Sequence, residues 1–208
     1  MIQHYSITST GTLSDRYALT NGLPKGIKPI QKTKPAELLP VIVADTNGTR
    51  VERMKWGFFT KGAKNANSVF RYKTFSVRSE DVFKKPMYAH VIRSQRCIVP
   101  ADGFYYDTSS SDGKKTYYIT KASGSLLSLG GVYSEWEDQD GTTWQTFSII
   151  TTTANKDMRA IDSRMPVILP KDKEAAWLDS MVNDMTSLYD MMRPYAPDTL
   201  TINDVSGK

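Results

Sequence analysis

The chain has 208 residues, 39% hydrophobic and 24% charged, enough to bury a core and too apolar and aromatic for a disordered segment. Its formal net charge of +5 is unevenly spread: residues 1–104 carry 17 Lys and Arg against 7 Asp and Glu (net +10), and residues 105–208 carry 10 against 15 (net −5). One cysteine and two histidines exclude an internal disulfide, a multi-cysteine zinc site and a His-rich metal centre.

No apolar run approaches the ~20 residues that span a bilayer, so no membrane association is expected. Met1-Ile2-Gln3-His4-Tyr5 has no basic segment leading into an apolar one, so it does not read as a secretion signal, and the expected compartment is the cytoplasm. No Gly-x-Ser-x-Gly elbow accompanies His4 or His90. No cofactor or metal is expected. The localised basic excess makes phosphate-rich partners plausible.

In chain order, residues 9–34 are poorly periodic and predict a surface loop with a short helix, in which Lys25, Lys28, Lys32 and Lys34 are solvated. Strand-like runs at 39–44 and 50–58 flank Thr46-Asn47-Gly48-Thr49, a hairpin signal. Residues 79–83 and 88–94 suggest helix around Pro86. Residues 96–99 predict a short buried strand holding the Cys97 thiol and stopping at Pro100. Two further hairpins are predicted, 104–106 with 116–120 across the polar loop 109–115, and 126–133 with 143–151 across Asp138-Gln139-Asp140-Gly141. Residues 171–180 and 183–192 predict helices. Met185, Leu188, Met191 and Met192, spaced by three and four, form a core stripe on the second. The pattern implies one α+β domain, residues 1–208, on a largely antiparallel sheet.

Six blocks carry a family resemblance: Trp56-Gly57-Phe58; Val77-Arg78-Ser79-Glu80; Arg96-Cys97-Ile98-Val99-Pro100-Ala101-Asp102-Gly103-Phe104-Tyr105; Leu129-Gly130-Gly131-Val132-Tyr133; Thr151-Thr152-Thr153-Ala154-Asn155; and Arg164-Met165-Pro166-Val167-Ile168-Leu169. In order and spacing they resemble the SRAP family, the SOS response-associated peptidases or abasic-site processing proteins. The resemblance covers most of residues 36–180. It implies a compact, barrel-like, sheet-rich α+β fold with peripheral helices and a cationic cleft for single-stranded DNA. It also implies a chemistry. In the family the second residue is a Cys exposed by loss of Met1, and its amine and thiol close a thiazolidine on the aldehyde of an abasic site. An Asn, a Glu and a His assist.

All four family positions are substituted here. Position two is Ile2, without a thiol; a side chain of that size also predicts that Met1 is retained. The Asn position is Ser76, which keeps a hydroxyl and loses the amide. The Glu position is Tyr106, a phenol and a poor base near neutrality. The His position is Asp162, a carboxylate in place of an imidazole. The resemblance assigns DNA contacts to Arg78 and Arg164 through phosphates, to Trp56 along the DNA path, and to Lys84 and Lys85 near a basic position of the cleft. Thr60 stands where the family has a Pro, and a following Trp is absent. Each assignment has an ordinary alternative: Arg78 can pair with Glu80, Arg164 can brace its loop, and Trp56 can be core.

The leading expectation is a member that binds single-stranded or damaged DNA without the covalent step. A second is an active enzyme using the Met1 α-amine as a Schiff-base nucleophile, with Asp162 as base. A separate route to an active enzyme has Asp107 replacing the missing Glu, although a one-residue shift along a strand points to the opposite face unless a bulge intervenes. A third is a cleft adapted to a peptide or small ligand.

Overall fold

The computed structural model describes residues 2–59, 68–110 and 113–207. The expectations for Met1 and Thr60 fall outside them. The elements are β1 (His4–Ser6), α1 (Leu13–Arg16), β2 (Leu38–Asp45), β3 (Gly48–Trp56), α2 (Ser68–Tyr72), β4 (Ser76–Arg78), α3 (Pro86–Ala89), α4 (Val91–Ser94), β5 (Arg96–Ala101), β6 (Gly103–Ser110), β7 (Gly113–Lys121), β8 (Leu127–Glu137), β9 (Thr143–Thr153), β10 (Arg164–Pro166), α5 (Glu174–Leu178), α6 (Met185–Met191) and β11 (Leu200–Asp204).

Five strands close on themselves. β2 pairs β3, β3 pairs β9, β9 pairs β8, β8 pairs β5, and β5 returns to β2 at Ile42↔Ile98. Four of these pairings are antiparallel, while β3–β9 is parallel, as is β4–β9. Closure leaves the barrel strands no free edge along their paired lengths. A second, wholly antiparallel sheet runs β1-β6-β7-β11. This is the α+β, barrel-like architecture with peripheral helices that the sequence implied.

The β2–β3 hairpin turns where Asn47-Gly48 predicts it. Asp45 pairs with Gly48, whose φ of 111° suits a residue without a side chain. Gly131 serves packing: a Cβ there would meet the Cys97 Sγ and the Ser148 carbonyl at 3.0 Å. A cluster that includes Trp56, Phe147, Ile98, Val132 and Trp177 forms the core, with Cys97 fully buried as expected. Burial alone pushes the Cys97 thiol far above its ordinary pKa.

Several boundaries differ from expectation. β5 runs through Pro100, opposite Ser128, to Ala101. A proline is tolerated there because β2 pairs with β5 only at Ile98, which leaves the far side of residue 100 without a strand to donate to. β6 and β7 are paired out to Ser110 and Gly113, so the connection is much tighter than the polar loop expected over 109–115. The helices are short. Pro86 opens α3 rather than sitting within a longer helix, consistent with its fixed φ and missing N–H. Leu188 and Met191 of α6 and Met192 just after it are buried, whereas Met185 lies half-exposed at the helix start. Lys25, Lys28, Lys32 and Lys34 are solvent-exposed, as expected.

Candidate nucleic-acid interface

The predicted positions gather around the C-terminal half of β9. At Ile149 this strand still touches β8 on one edge, through Gly131, and has already taken up β4 on the other, through Ser76. Two residues on, Thr151 is flanked by Arg78 of β4 and Pro166 of β10. Three separate sequence blocks are thus set side by side by backbone pairing.

Beside β4 lies a cavity of about 360 Å³ lined by Ser76 and Arg78, by Thr151 of β9, by Asp81 and Lys85 of the following turn, and by Tyr72 and Lys73 at the end of α2. Ser76 is half-buried and Arg78 exposed. Among the described residues Arg78 has no ion-pair partner. The expected Arg78–Glu80 alternative does not form, because Glu80 turns to Arg164: its Oε1 and Oε2 accept from the two terminal guanidinium nitrogens at 2.6 and 2.9 Å. That bidentate bond is the largest cause holding the Glu80 carboxyl below its usual range. Arg164 also donates to the Thr151 carbonyl at 2.6 Å, and its side chain is only 15% exposed. It therefore braces its strand, the second of the two roles weighed for it. Lys85 lies 3.1 Å from Asp81, and Lys84 is exposed outside the cavity lining.

Trp56 corrects an expectation. It is fully buried, its indole N–H donates to the Phe75 carbonyl at 2.9 Å, and its ring packs against Tyr5, Phe75 and Phe147. No ring face is open to a nucleotide, so it belongs to the core. Its alternation in β3 turns it inward, and a buried indole with a satisfied donor is a stable arrangement.

The four positions that the resemblance marks as substituted fall in three places. Tyr106 and Asp162 meet at the Arg164 backbone. The Tyr106 hydroxyl donates to the Arg164 carbonyl at 2.9 Å, and the Arg164 amide donates to Asp162 Oδ1 at 2.9 Å. Burial, reinforced by the Asp162 charge, pushes the Tyr106 phenol well above its ordinary pKa, so it is neither a base nor free to become one near neutrality. Asp162 titrates below its usual range. Burial acts to raise it, but the hydrogen bonds from the Arg164 amide and the Ser163 hydroxyl are among the causes that outweigh that. Asp107 is exposed and accepts from the Thr116 hydroxyl at 2.7 Å, on the opposite face of β6 from Tyr106. Ile2 is fully buried in the main core. Ser76 stands apart from Tyr106 and Asp162, on the other edge of β9 from β10.

One feature of the cavity was not anticipated. Phe70 and Tyr72 on α2 are 50% and 64% exposed, interleaved with Arg71 and Lys73. The run Phe70-Arg71-Tyr72-Lys73 is itself the signal that could have found them, since alternating aromatic and basic residues suit a nucleic-acid surface. Among the described residues no cluster of His, Cys, Asp or Glu has a metal-binding arrangement, and no helix is long and apolar enough to cross a membrane.

The model of the SOS response associated peptidase (SRAP) family matches residues 3–208. The chain is 31% identical over 194 residues to the abasic site processing protein YoaM of Bacillus subtilis, covering 92% of this chain and 85% of that one. It is 32% identical over 157 residues to the abasic site processing protein HMCES of Xenopus tropicalis, covering 65% of this chain and 47% of that one. Among solved structures, a protein from Bacteroides thetaiotaomicron superposes with a TM-score of 0.86 at 24% identity, over 98% of this chain and 92% of that one.

Proposed function

Because the chain belongs to the SOS response-associated peptidase (SRAP) family, we propose that it binds single-stranded or abasic-site DNA at the cavity beside β4 without forming a covalent cross-link. The observation that carries the binding half is the cavity itself, where Arg78, without an ion-pair partner among the described residues, stands with Lys73, Lys85 and the hydroxyls of Ser76 and Thr151. Guanidinium and ammonium groups bind phosphate, and the hydroxyls offer hydrogen bonds to a sugar or base. Lys84, exposed next to Lys85, adds to the field around the cavity. This reading takes residues 1–208 as one functional unit.

The loss of the covalent step follows from the four substitutions. Ile2 has no sulfur with which to close a thiazolidine. Tyr106 is buried, with its hydroxyl committed to a backbone carbonyl. Asp162 is held ionised near neutrality and lacks the second ring nitrogen of the family's His. The test is incubation with a single-stranded oligonucleotide carrying one abasic site. Expected are salt-sensitive binding and no adduct that survives denaturation. A robust adduct formed without reductant refutes the proposal.

A second reading keeps the Met1 α-amine as nucleophile with Asp162 as its base, a carboxyl that titrates below its usual range and is ionised near neutrality. An α-amine can condense with an aldehyde, releasing water, to give an imine. Borohydride reduction would convert that imine to a stable amine, so an adduct seen only with borohydride supports this second reading.

A further inference from the structure

We propose that Tyr72 is the residue on which a base of the bound strand stacks, so that the cavity reads one nucleotide with its phosphate on Arg78. This rests on the DNA-binding reading above. Large rings are seldom left in water. Among the described residues the exposed large hydrophobics are Phe70, Tyr72, Met181 and Met185, and the two aromatics, two positions apart on α2, project from opposite sides of that helix. Tyr72 also lines the cavity, whereas the two methionines belong to a different part of the chain.

The local backbone explains how the ring reaches the site. Lys73 adopts a left-handed conformation, φ 51°, immediately after α2. That ends the helix and turns the chain toward β4, so that Tyr72 and Arg78 come to border one cavity although six positions separate them. The Arg71 guanidinium lies 5.7 Å from the Tyr72 ring centroid, within range of a cation–π contact that orients the ring.

The charges nearby make a stacking residue necessary for useful affinity. Arg164 is committed to Glu80, and Lys85 is shared with Asp81, itself a lining residue. Arg78 and Lys73 remain as the cations of the cavity without an ion-pair partner among the described residues. Two or three phosphate contacts on a single strand give a slope of only about −1.4 to −2.1 in log affinity against log salt, at about −0.7 per contact. An electrostatic footprint this small binds weakly at physiological salt. One stacked base adds roughly 5- to 150-fold, independent of salt.

The experiment measures binding of a labelled single-stranded oligonucleotide, with one abasic site flanked by 2-aminopurine, by fluorescence anisotropy between 50 and 300 mM salt. Tyr72→Ala and Tyr72→Leu should each weaken binding by about tenfold with the salt slope unchanged, and should abolish the 2-aminopurine quenching that the unaltered protein gives. Tyr72→Phe should keep both, since the ring stacks and the hydroxyl does not. Arg78→Ala should make the slope shallower by about 0.7. If Tyr72→Ala and Tyr72→Leu bind and quench as the unaltered protein does while Arg78→Ala weakens binding, the stacking proposal falls and the DNA-binding reading stands. If the unaltered protein does not bind, both fall.

Discussion

Replacing Glu80 by Gln separates the two parts that Arg164 could play. The pair consists of two charge-assisted hydrogen bonds, 2.6 and 2.9 Å, between a mostly buried guanidinium and a carboxylate whose side chain is 46% exposed. Exposed pairs contribute up to about 1 kcal/mol, and bidentate geometry with one partner buried moves this toward the upper end, so Glu80→Gln should cost about 1–1.5 kcal/mol at pH 7. The carboxyl titrates below its ordinary value in the folded protein, so its contribution is present above the unfolded value of about 4.3 and is lost as pH falls through the folded one. Urea unfolding of both proteins from pH 7 down to pH 3 is the assay, with the stability gap expected to narrow as the native carboxylate is protonated. The same substitution releases the Arg164 charge at Thr151, a residue of the cavity lining. It should tighten single-stranded DNA binding several-fold and steepen its salt slope by up to about 0.7. Equal stabilities at pH 7, or a gap that stays constant to pH 3, would refute the ion-pair argument. Weaker DNA binding would refute the view that Glu80 occupies a cation which the strand could use.

Trp56→Phe should lower stability by roughly 1–3 kcal/mol, through the lost bond to the Phe75 carbonyl and the lost volume, with DNA affinity unchanged; the reverse pattern would return Trp56 to the DNA path. Tyr106→Glu, which restores the family residue, should destabilise the protein by several kcal/mol, because it places a carboxylate where the phenol is 1% exposed, and combined with Ile2→Cys it should yield no efficient cross-linking. Strong adduct formation by that double variant on a denaturing gel would contradict this. Cys97 should not react with a thiol reagent at neutral pH until the protein unfolds, since it is fully buried and its thiol is pushed far above its ordinary pKa. Rapid labelling under native conditions would show that the barrel opens locally at β5.

The longer strands could be read from the chain because each carries its own pattern. The β2–β3 hairpin announces itself through Asn47-Gly48, and the β8–β9 hairpin through a turn in which Asp138 accepts from the Asp140 and Thr142 amides. The three-residue strands β1, β4 and β10 are too short to show a period of two and exist because β6 and β9 offer them backbone partners. The parallel contacts of β3 and β4 with β9 leave no local trace for the same reason. At the site, the opposed faces of Tyr106 and Asp107 follow from strand alternation alone. The pairing of Glu80 with Arg164 does not, since the two are 84 residues apart and meet only through β4, β9 and β10. Sequence proximity instead suggested Arg78 for Glu80, but Arg78 points to water from β4 while Glu80 follows in the turn.

The site takes its shape from β9, an eleven-residue strand whose first half is a stave of the barrel and whose second half carries β4 and β10. Positions 76, 78 and 164 are therefore spaced by the hydrogen-bond repeat of a rigid strand, whatever side chains stand there. A frame of this kind can exchange its reactive groups one at a time and still present each replacement at the same coordinates. A substitution at one of these positions therefore changes which group is presented and leaves where it is presented to the strand.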